Sequence, residues 1–407
     1  MSETKCPIPS GMSLSALDPT FRDQPNEYID QLRSFEPVYR DREFDRVVLT
    51  RAEDIDMVLN HRALAKDPRK SRPGSYARMI DTIDENYRPS MLFADDPDHK
   101  RLRSLVAKAF NLQSADAMRP RILEVANRLL DGIPDPRHFD VVEVYSNPLP
   151  TIVIAAALGI DECDQQDFKR WSDSQGHVFN PRRTKEESAN MASGREALQQ
   201  YFAEIIKKRR KDRGTDLISN LISAEEDGQK LTEAEIISLC YLLLIAGNLT
   251  TTDLIGNGVL ALLKNPDELA KLRAQPELTR NAIEEILRYD SPVTTASRIA
   301  TRPMNIGGVD IEEGQPITLL LFGANHDPSA HPHPGKFDIA RPDAYHSSFG
   351  GGSHFCIGAP LARAEAQIAI PLLFARFPKL RLTQGEFPAR KSLVSLNGIR
   401  TLWVDTD

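Results

Sequence analysis

The chain has 407 residues, 41 % hydrophobic and 27 % charged, with a formal net charge of −7. Those proportions belong to an ordinary globular protein rather than a disordered or fibrous one. The negative balance excludes a generic nucleic-acid binder, whose surface is basic. Four cysteines (Cys6, Cys163, Cys240 and Cys356) are scattered without framework spacing, which points to free thiols in a reducing compartment. The first ten residues lack the apolar stretch of a signal peptide. The most apolar windows, 151–160 and 239–247, fall short of the ~20 residues needed to span a bilayer. A cytoplasmic location without membrane attachment is expected.

In chain order, residues 1–17 read as a polar, flexible segment. Residues 37–40 and 46–50 read as strands joined by a charged turn, and residues 52–59 as a short helix. The stretch 67–89 is irregular and mixed, which suggests a functional loop. Asp96 before Pro97 is a helix start signal, a capping residue followed by proline. In that helix His99 and Arg103 stand at i and i+4 and so share a face; a solvated basic face explains them equally well. Amphipathic segments follow through residue 220, and the basic run Lys207–Lys211 suits a helix C-terminus.

Residues 232–264 carry the longest helical pattern. Thr232 with Glu235 makes a capping box, and residues 236–245 are apolar almost all round, so the helix should cross the protein's centre. Gly247 and Thr250–Thr252 interrupt the pattern, and threonine hydroxyls that bond the i−4 carbonyl should loosen the ladder there. Glu285 and Arg288, three apart, suit a same-face ion pair. Residues 294–300 look extended, and 306–311 and 314–321 read as hairpin strands. His326, His331 and His333 lie in a Pro-rich meander without a fourth ligand for zinc. Residues 393–404 read as a hairpin turning at Asn397-Gly398.

The most informative stretch is Phe349-Gly350-Gly351-Gly352-Ser353-His354-Phe355-Cys356-Ile357-Gly358. It holds one cysteine in a glycine-dense loop just before a helix start, where the helix dipole and nearby amides favour a thiolate. No C-x-x-C partner is near, so a metal held by Cys356 takes its other ligands from elsewhere. A porphyrin supplies four in a plane, and haem bound through a single cysteine is a known arrangement.

The stretch closely resembles the haem-binding loop of the cytochrome P450 family, Phe-Gly-x-Gly-x-His-x-Cys-x-Gly. The resemblance implies one mainly α domain with small β-sheets over residues 18–407, with haem b between a long central helix and the cysteine loop. It implies that Cys356 ligates the iron and that Phe349, Gly350, His354, Gly358 and Ala246 border the haem. It further implies that His99, Arg103 and Arg298 bind the haem propionates, because buried carboxylates need cationic partners. Residues 246–252 look like the family's oxygen-binding Ala-Gly-x-(Asp/Glu)-Thr-Thr motif. Thr250 then matches the threonine of proton delivery, with Gly247, Asn248 and Thr251 beside it. The usual acid is replaced by Leu249, which cannot relay a proton; Asp253 is a remoter acid. Glu285, Arg288 and Arg341 match a fold-holding network.

The family reading implies a monooxygenase that inserts one oxygen atom from O2 into a small hydrophobic substrate (terpenoid, steroid-like or aromatic). Weak pocket candidates are Tyr76, Met79, Ile80, Tyr87, Ile245, Val293, Thr294, Ala296 and Leu396. Too few residues follow Cys356 for a fused reductase, so a separate ferredoxin and NAD(P)H-dependent ferredoxin reductase are expected. Lys100, Arg101 and Arg363 are candidate docking cations, and the chain is expected to be a monomer. Two alternatives remain: a peroxide-driven or rearranging enzyme of the same fold, and a non-catalytic haem sensor or carrier.

Overall fold

The computed structural model describes residues 9–79, 88–107, 111–161, 164–176, 183–226, 231–342 and 345–407. Its spine is the helix Glu233–Lys264. Thr232 Oγ1 accepts the Glu235 amide at 3.2 Å, and Glu235 Oε2 accepts the Thr232 amide at 2.8 Å, closing the expected capping box. Asn265, whose side chain donates to the Ala261 carbonyl at 2.8 Å, ends the helix before Pro266. Among the described residues this is the one helix long and apolar enough, by length and composition, to cross a membrane, so the apolar run exceeds the two shorter windows read from the sequence. Here other helices cover it instead.

Its two halves serve two cores. The first half packs with Lys185–Lys211 and Leu217–Glu226 around Leu198, Phe202 and Leu221. The second half packs with Leu112–Asp131, Thr279–Tyr289 and Ala359–Arg376 around Ile122, Ile286 and Ile370. A Cβ on Gly258 would stand 2.6 Å from Ile370 Cδ1 and 3.0 Å from Ile286 Cδ1. The close crossing of central helix and post-cysteine helix therefore depends on glycine, and it sets the depth of the cysteine loop. Contrary to expectation, the spine runs unbroken through residues 246–252. The Thr250 hydroxyl does donate to the Ala246 carbonyl, at 2.8 Å, but this bond coexists with the helix rather than opening it.

A five-stranded sheet flanks the helices, in spatial order Val38–Asp41, Arg46–Leu49, Pro316–Leu320, Thr295–Ala300 and Leu64–Ala65. All pairs are antiparallel except Arg46–Leu49 with Pro316–Leu320. Gly307 and Gly308, both with positive φ, turn the small hairpin Met304–Ile306/Val309–Ile311. The expected C-terminal hairpin has a different pairing. Ala389–Arg390 pairs with Ile399–Thr401, while Trp403–Asp405 joins His138–Asp140 and Arg381–Leu382. Residues 391–398 form a long connection folded against the spine.

The N-terminal segment is also better anchored than its composition suggests, at least from Gly11 to Leu17. The Gly11 amide donates to the Asp41 carboxylate at 3.1 Å, and Arg46 donates to the Gly11 carbonyl at 3.0 Å. Leu14 packs with Phe21, Ile29 and Phe322. The predicted helix at Asp96-Pro97 begins slightly later, at Asp98.

The Glu285 network forms as expected. Arg288 donates to both Glu285 oxygens at 2.7 and 2.9 Å, and Arg341 Nε donates to Glu285 Oε2 at 3.1 Å. Glu285 and Arg288 have no exposed side-chain surface. Arg288 spends its remaining donors on the carbonyls of Asn325, Pro334 and Lys336, so the meander that leads to the cysteine loop is tied to the helical core.

Candidate active site

The cysteine loop is built as a tight hairpin of its own. The Gly350 amide donates to the Ser347 carbonyl at 2.8 Å, and the Cys356 amide to the Phe349 carbonyl at 2.9 Å. Gly350 and Gly352 take positive φ of 67° and 64°, a region side-chain-bearing residues rarely enter. A Cβ on Gly352 would also stand 2.4 Å from the Leu59 carbonyl oxygen. Helix Ala359–Arg376 starts immediately after Gly358. As expected, the amides of Gly358 and Ala359 and the charges of Arg103 and Arg363 favour the Cys356 thiolate, but burial outweighs them and raises the thiol's pKa. The loop alone does not ionise this cysteine. A coordinated metal deprotonates a thiol outright.

Cys356 opens on a mostly apolar cavity of about 710 Å³, within the ~300–1,000 Å³ of small-molecule sites. The spine lines the same cavity, with Ile245, Ala246, Gly247, Leu249, Thr250 and Thr251 on it. Leu243, Gly247, Thr250 and Leu254 form the i, i+4, i+7, i+11 stripe of one helix face. Asn248 is not on it. Asn248 is buried, donates to Ser172 Oγ at 3.1 Å and accepts from Thr252 at 3.3 Å, so its expected place beside Thr250 in proton handling is not supported. Asp253 is likewise turned away, with Lys391 Nζ 2.6 Å from its Oδ1.

Basic side chains gather at one edge. His99 and His354 stack, with ring centroids 3.9 Å apart, and Arg103 Nη2 donates to the Phe355 carbonyl at 2.6 Å. All three line the cavity, and so does Lys66. Burial lowers the pKa of His354, and the charges of Lys66, His99, Arg298 and Arg103 lower it further. Arg298 belongs to the same cluster. Its guanidinium donates to the carbonyls of Ser297, Leu59 and Gly351 at 2.9, 3.4 and 3.5 Å, and it is not among the cavity-lining residues. The resemblance assigned it to a propionate; its charge acts on His354 and Lys66 at this same edge.

The haem implied by the cysteine loop fits these residues. A mostly apolar cavity is lined by a lone cysteine and by a glycine-bearing helix face, and its basic residues can serve two carboxylates. Glu365, on the helix after the loop, also lines the cavity; its Oε2 is buried without a partner, and burial alone raises its pKa well up. A protonated acid there has a hydrogen-bonding group left to offer. Sequence reading missed both Lys66 and Glu365, because neither stands in a recognisable local pattern.

The pocket candidates divide. Ile245, Val293, Ala296 and Leu396 line the cavity. Thr294 does not: it lines a separate small crevice of about 30 Å³ with Leu14, Phe21 and Ile29, while its neighbour Thr295 lines both that crevice and the cavity. Tyr76 and Met79 sit in the short helix Tyr76–Met79, of which Ala77 lines the cavity; Ile80 and Tyr87 lie outside the described residues. Met91–Phe93 and Val394–Ser395 complete the wall. Of the candidate docking cations, Arg363 is held bidentate by Glu284 at 2.7 Å and Arg101 pairs with Glu235; Lys100 is exposed.

The family model for cytochrome P450 matches residues 6–397. The chain is 39 % identical over 379 residues to cytochrome P450 107B1 of Saccharopolyspora erythraea, covering 91 % of each. It is 36 % identical to the 6-deoxyerythronolide B hydroxylase of the same organism, over 89 % of this chain and 91 % of that one. Among solved structures it superimposes on P450BioI in complex with a hexadec-9Z-enoic acid-ligated acyl carrier protein, with a TM-score of 0.86 at 34 % identity over 95 % of this chain and 99 % of that one. CYP109E1 from Bacillus megaterium, in complex with testosterone, gives a TM-score of 0.84 at 31 % identity, covering 94 % and 99 %. The chain belongs to the cytochrome P450 family, and it is a haem-dependent monooxygenase.

Proposed function

We propose that Cys356 would hold the haem iron through its thiolate and that the enzyme oxygenates a bulky, largely apolar substrate in the cavity lined by the cysteine loop and the spine. The observation that carries this reading is the cavity of about 710 Å³ lined by Cys356 together with Gly247, Thr250 and Thr251 of the spine. Haem bound here supplies the oxygen chemistry, while the chain supplies binding, orientation and water exclusion. Leu243, Ile245, Leu249 and Leu254 keep the space dry. The Thr250 hydroxyl gives its proton to the Ala246 carbonyl and keeps its lone pairs free to hold a water molecule. Val293, Ala296 and Leu396 shape the substrate's end of the cavity.

Relatives named for 6-deoxyerythronolide B hydroxylation and vitamin D(3) 25-hydroxylation support a large hydrophobic substrate, and the steroid-like class fits best among those expected. Electrons come from a separate ferredoxin and its NAD(P)H-dependent reductase, in the cytoplasm, with the protein a monomer. One observation favours a second reading, drive by hydrogen peroxide: Leu249 faces the cavity where the family pattern carries an acid.

The test is an optical titration of the ferric, haem-loaded protein with testosterone and with palmitoleic acid, followed by product analysis with ferredoxin plus reductase or with hydrogen peroxide alone. A low-to-high-spin shift and an oxygenated product that depends on ferredoxin are expected. Product with peroxide alone establishes the second reading. A spin shift without product in either system overturns catalysis on this class.

A further inference from the structure

We infer that Lys66 is a further haem-propionate anchor, a cation on the cavity edge with His99, Arg103 and His354. Three observations carry it. First, strand Leu64–Ala65 pairs antiparallel with Thr295–Ala300, Leu64 facing Ala300 and Ala65 facing Ile299. Continued by one residue, that register sets Lys66 opposite Arg298. Like charges at facing positions of a strand pair repel, so the arrangement needs an anion between or beside them.

Second, the described residues do not supply that anion. The nearest acid, Asp95, is already occupied: its Oδ1 accepts the Lys66 backbone amide at 2.8 Å, and its Oδ2 accepts the Asp67 amide at 3.4 Å and pairs with Lys70 at 2.9 Å. Asp96 lies 3.6 Å from His99, with its side chain mostly in solvent. Among the described residues no carboxylate pairs with the Lys66 ammonium, which stands 5.7 Å from the Phe93 ring centroid. Third, Lys66 shares the cavity edge with His99, Arg103 and His354. Burial first, and the charge of Arg298 second, bring its pKa down to about 7, with Asp95 opposing. Without a ligand this edge is an excess of positive charge; two propionates neutralise it.

The inference rests on haem occupying this cavity, and the thiolate-type spectrum of the reduced carbon-monoxide complex checks that separately. The experiment compares Lys66→Met, Lys66→Arg and Lys70→Met as haem-loaded full-length proteins. Three quantities are read: the rate of haem transfer to excess apomyoglobin, the haem reduction potential, and the optical dissociation constants for palmitoleic acid and testosterone. Lys66→Met is expected to release haem about tenfold faster and to lower the potential, since a positive charge near the ferric centre is lost. Both ligands should weaken by the same factor. Lys66→Arg restores haem retention and potential, and Lys70→Met, whose charge already serves Asp95, changes neither.

Unchanged haem release with a selective loss of palmitoleic acid binding overturns the assignment and makes Lys66 a clamp for a substrate carboxylate. Unchanged release and unchanged ligand binding overturn it as well. Should Lys66→Met fail to load haem, Lys66→Gln is measured in its place; retention equal to the parent protein overturns the proposal.

Discussion

Two clusters of buried charge sit on either side of the cysteine loop, and they are built in opposite ways. Around Glu285 the charges close on each other: Arg288 and Arg341 take both carboxylate oxygens, and the leftover guanidinium donors end on backbone carbonyls. Around His99 the basic groups line a cavity, while the acids beside them are spent elsewhere: Asp96 is mostly in solvent and Asp95 holds backbone amides and Lys70. A closed cluster is complete in the chain alone and holds the fold. An open one raises the free energy of the empty protein and is relieved only by a ligand of opposite charge. Polar satisfaction, more than burial or charge, separates structure from site here.

The closed cluster should break hardest. Glu285→Ala leaves Arg288 buried and uncompensated, and losing one partner of a buried pair costs about 3–5 kcal/mol. Urea unfolding of the haem-loaded protein should show that loss, if the variant folds at all. A loss below about 1 kcal/mol would mean that the carbonyls alone satisfy Arg288. The Asp253–Lys391 pair is the next test. Asp253 is 1 % exposed and its Oδ2 has no partner, so Lys391→Met should destabilise by about 2–3 kcal/mol. Adding Asp253→Leu should recover most of that. This pair also ties the 391–398 connection to the spine, so testosterone affinity should fall in the single variant and return in the double.

A third network gives a pH signature. Burial pushes Glu284 up, but hydrogen bonds and charge from Arg363 and His346 outweigh it and hold the pKa at about 2, against an ordinary 4.5. A depressed carboxylate pKa adds stability that is present above pH 4.5 and lost as pH falls towards 2. With its side chain 24 % exposed, the contribution at pH 7 is roughly 2 kcal/mol after allowance for solvent screening. In Glu284→Gln the fall in unfolding free energy between pH 5 and 3 should be shallower than in the parent. Parallel curves would place the titration elsewhere.

How much of this was legible beforehand followed from how local each feature is. Residues 349–358 and 232–264 announce themselves because loop backbone and helix face are dictated by neighbours in sequence. The Glu285–Arg288 spacing is local too. Lys66 was invisible, since its meaning comes from a strand register with residue 298 and from an acid at 95 already in use. One misplacement was avoidable. The 3.6-residue period that aligns Leu243, Gly247, Thr250 and Leu254 already turns Asn248 aside. Gly11–Leu17 was misread for a different reason: its anchors, Asp41 and Arg46, lie about thirty residues on, and composition carries no trace of them.

The smallest effect expected concerns the spine's side of the cavity, which has no ionisable group between Leu243 and Leu254 among the cavity-lining residues. Leu249→Glu places an acid on that wall without any partner cation from the closed networks, so it adds a charge to the open side of the comparison. If proton supply limits the parent enzyme, the fraction of NAD(P)H electrons recovered in product should rise by about twofold, a change worth under 1 kcal/mol. Thermal stability should drop slightly, because an apolar contact in a dry wall becomes a buried carboxyl. Asn248→Ala is the control: its amide points at Ser172 and away from the cavity, so it should lower stability by about 1 kcal/mol and leave the recovered fraction alone. An unchanged fraction in Leu249→Glu, with Thr250→Val lowering it, would place proton handling on water held by Thr250 and make the missing acid irrelevant. An altered fraction in Asn248→Ala would reverse the order, and would mean that the helix turns in solution enough to bring position 248 to the cavity.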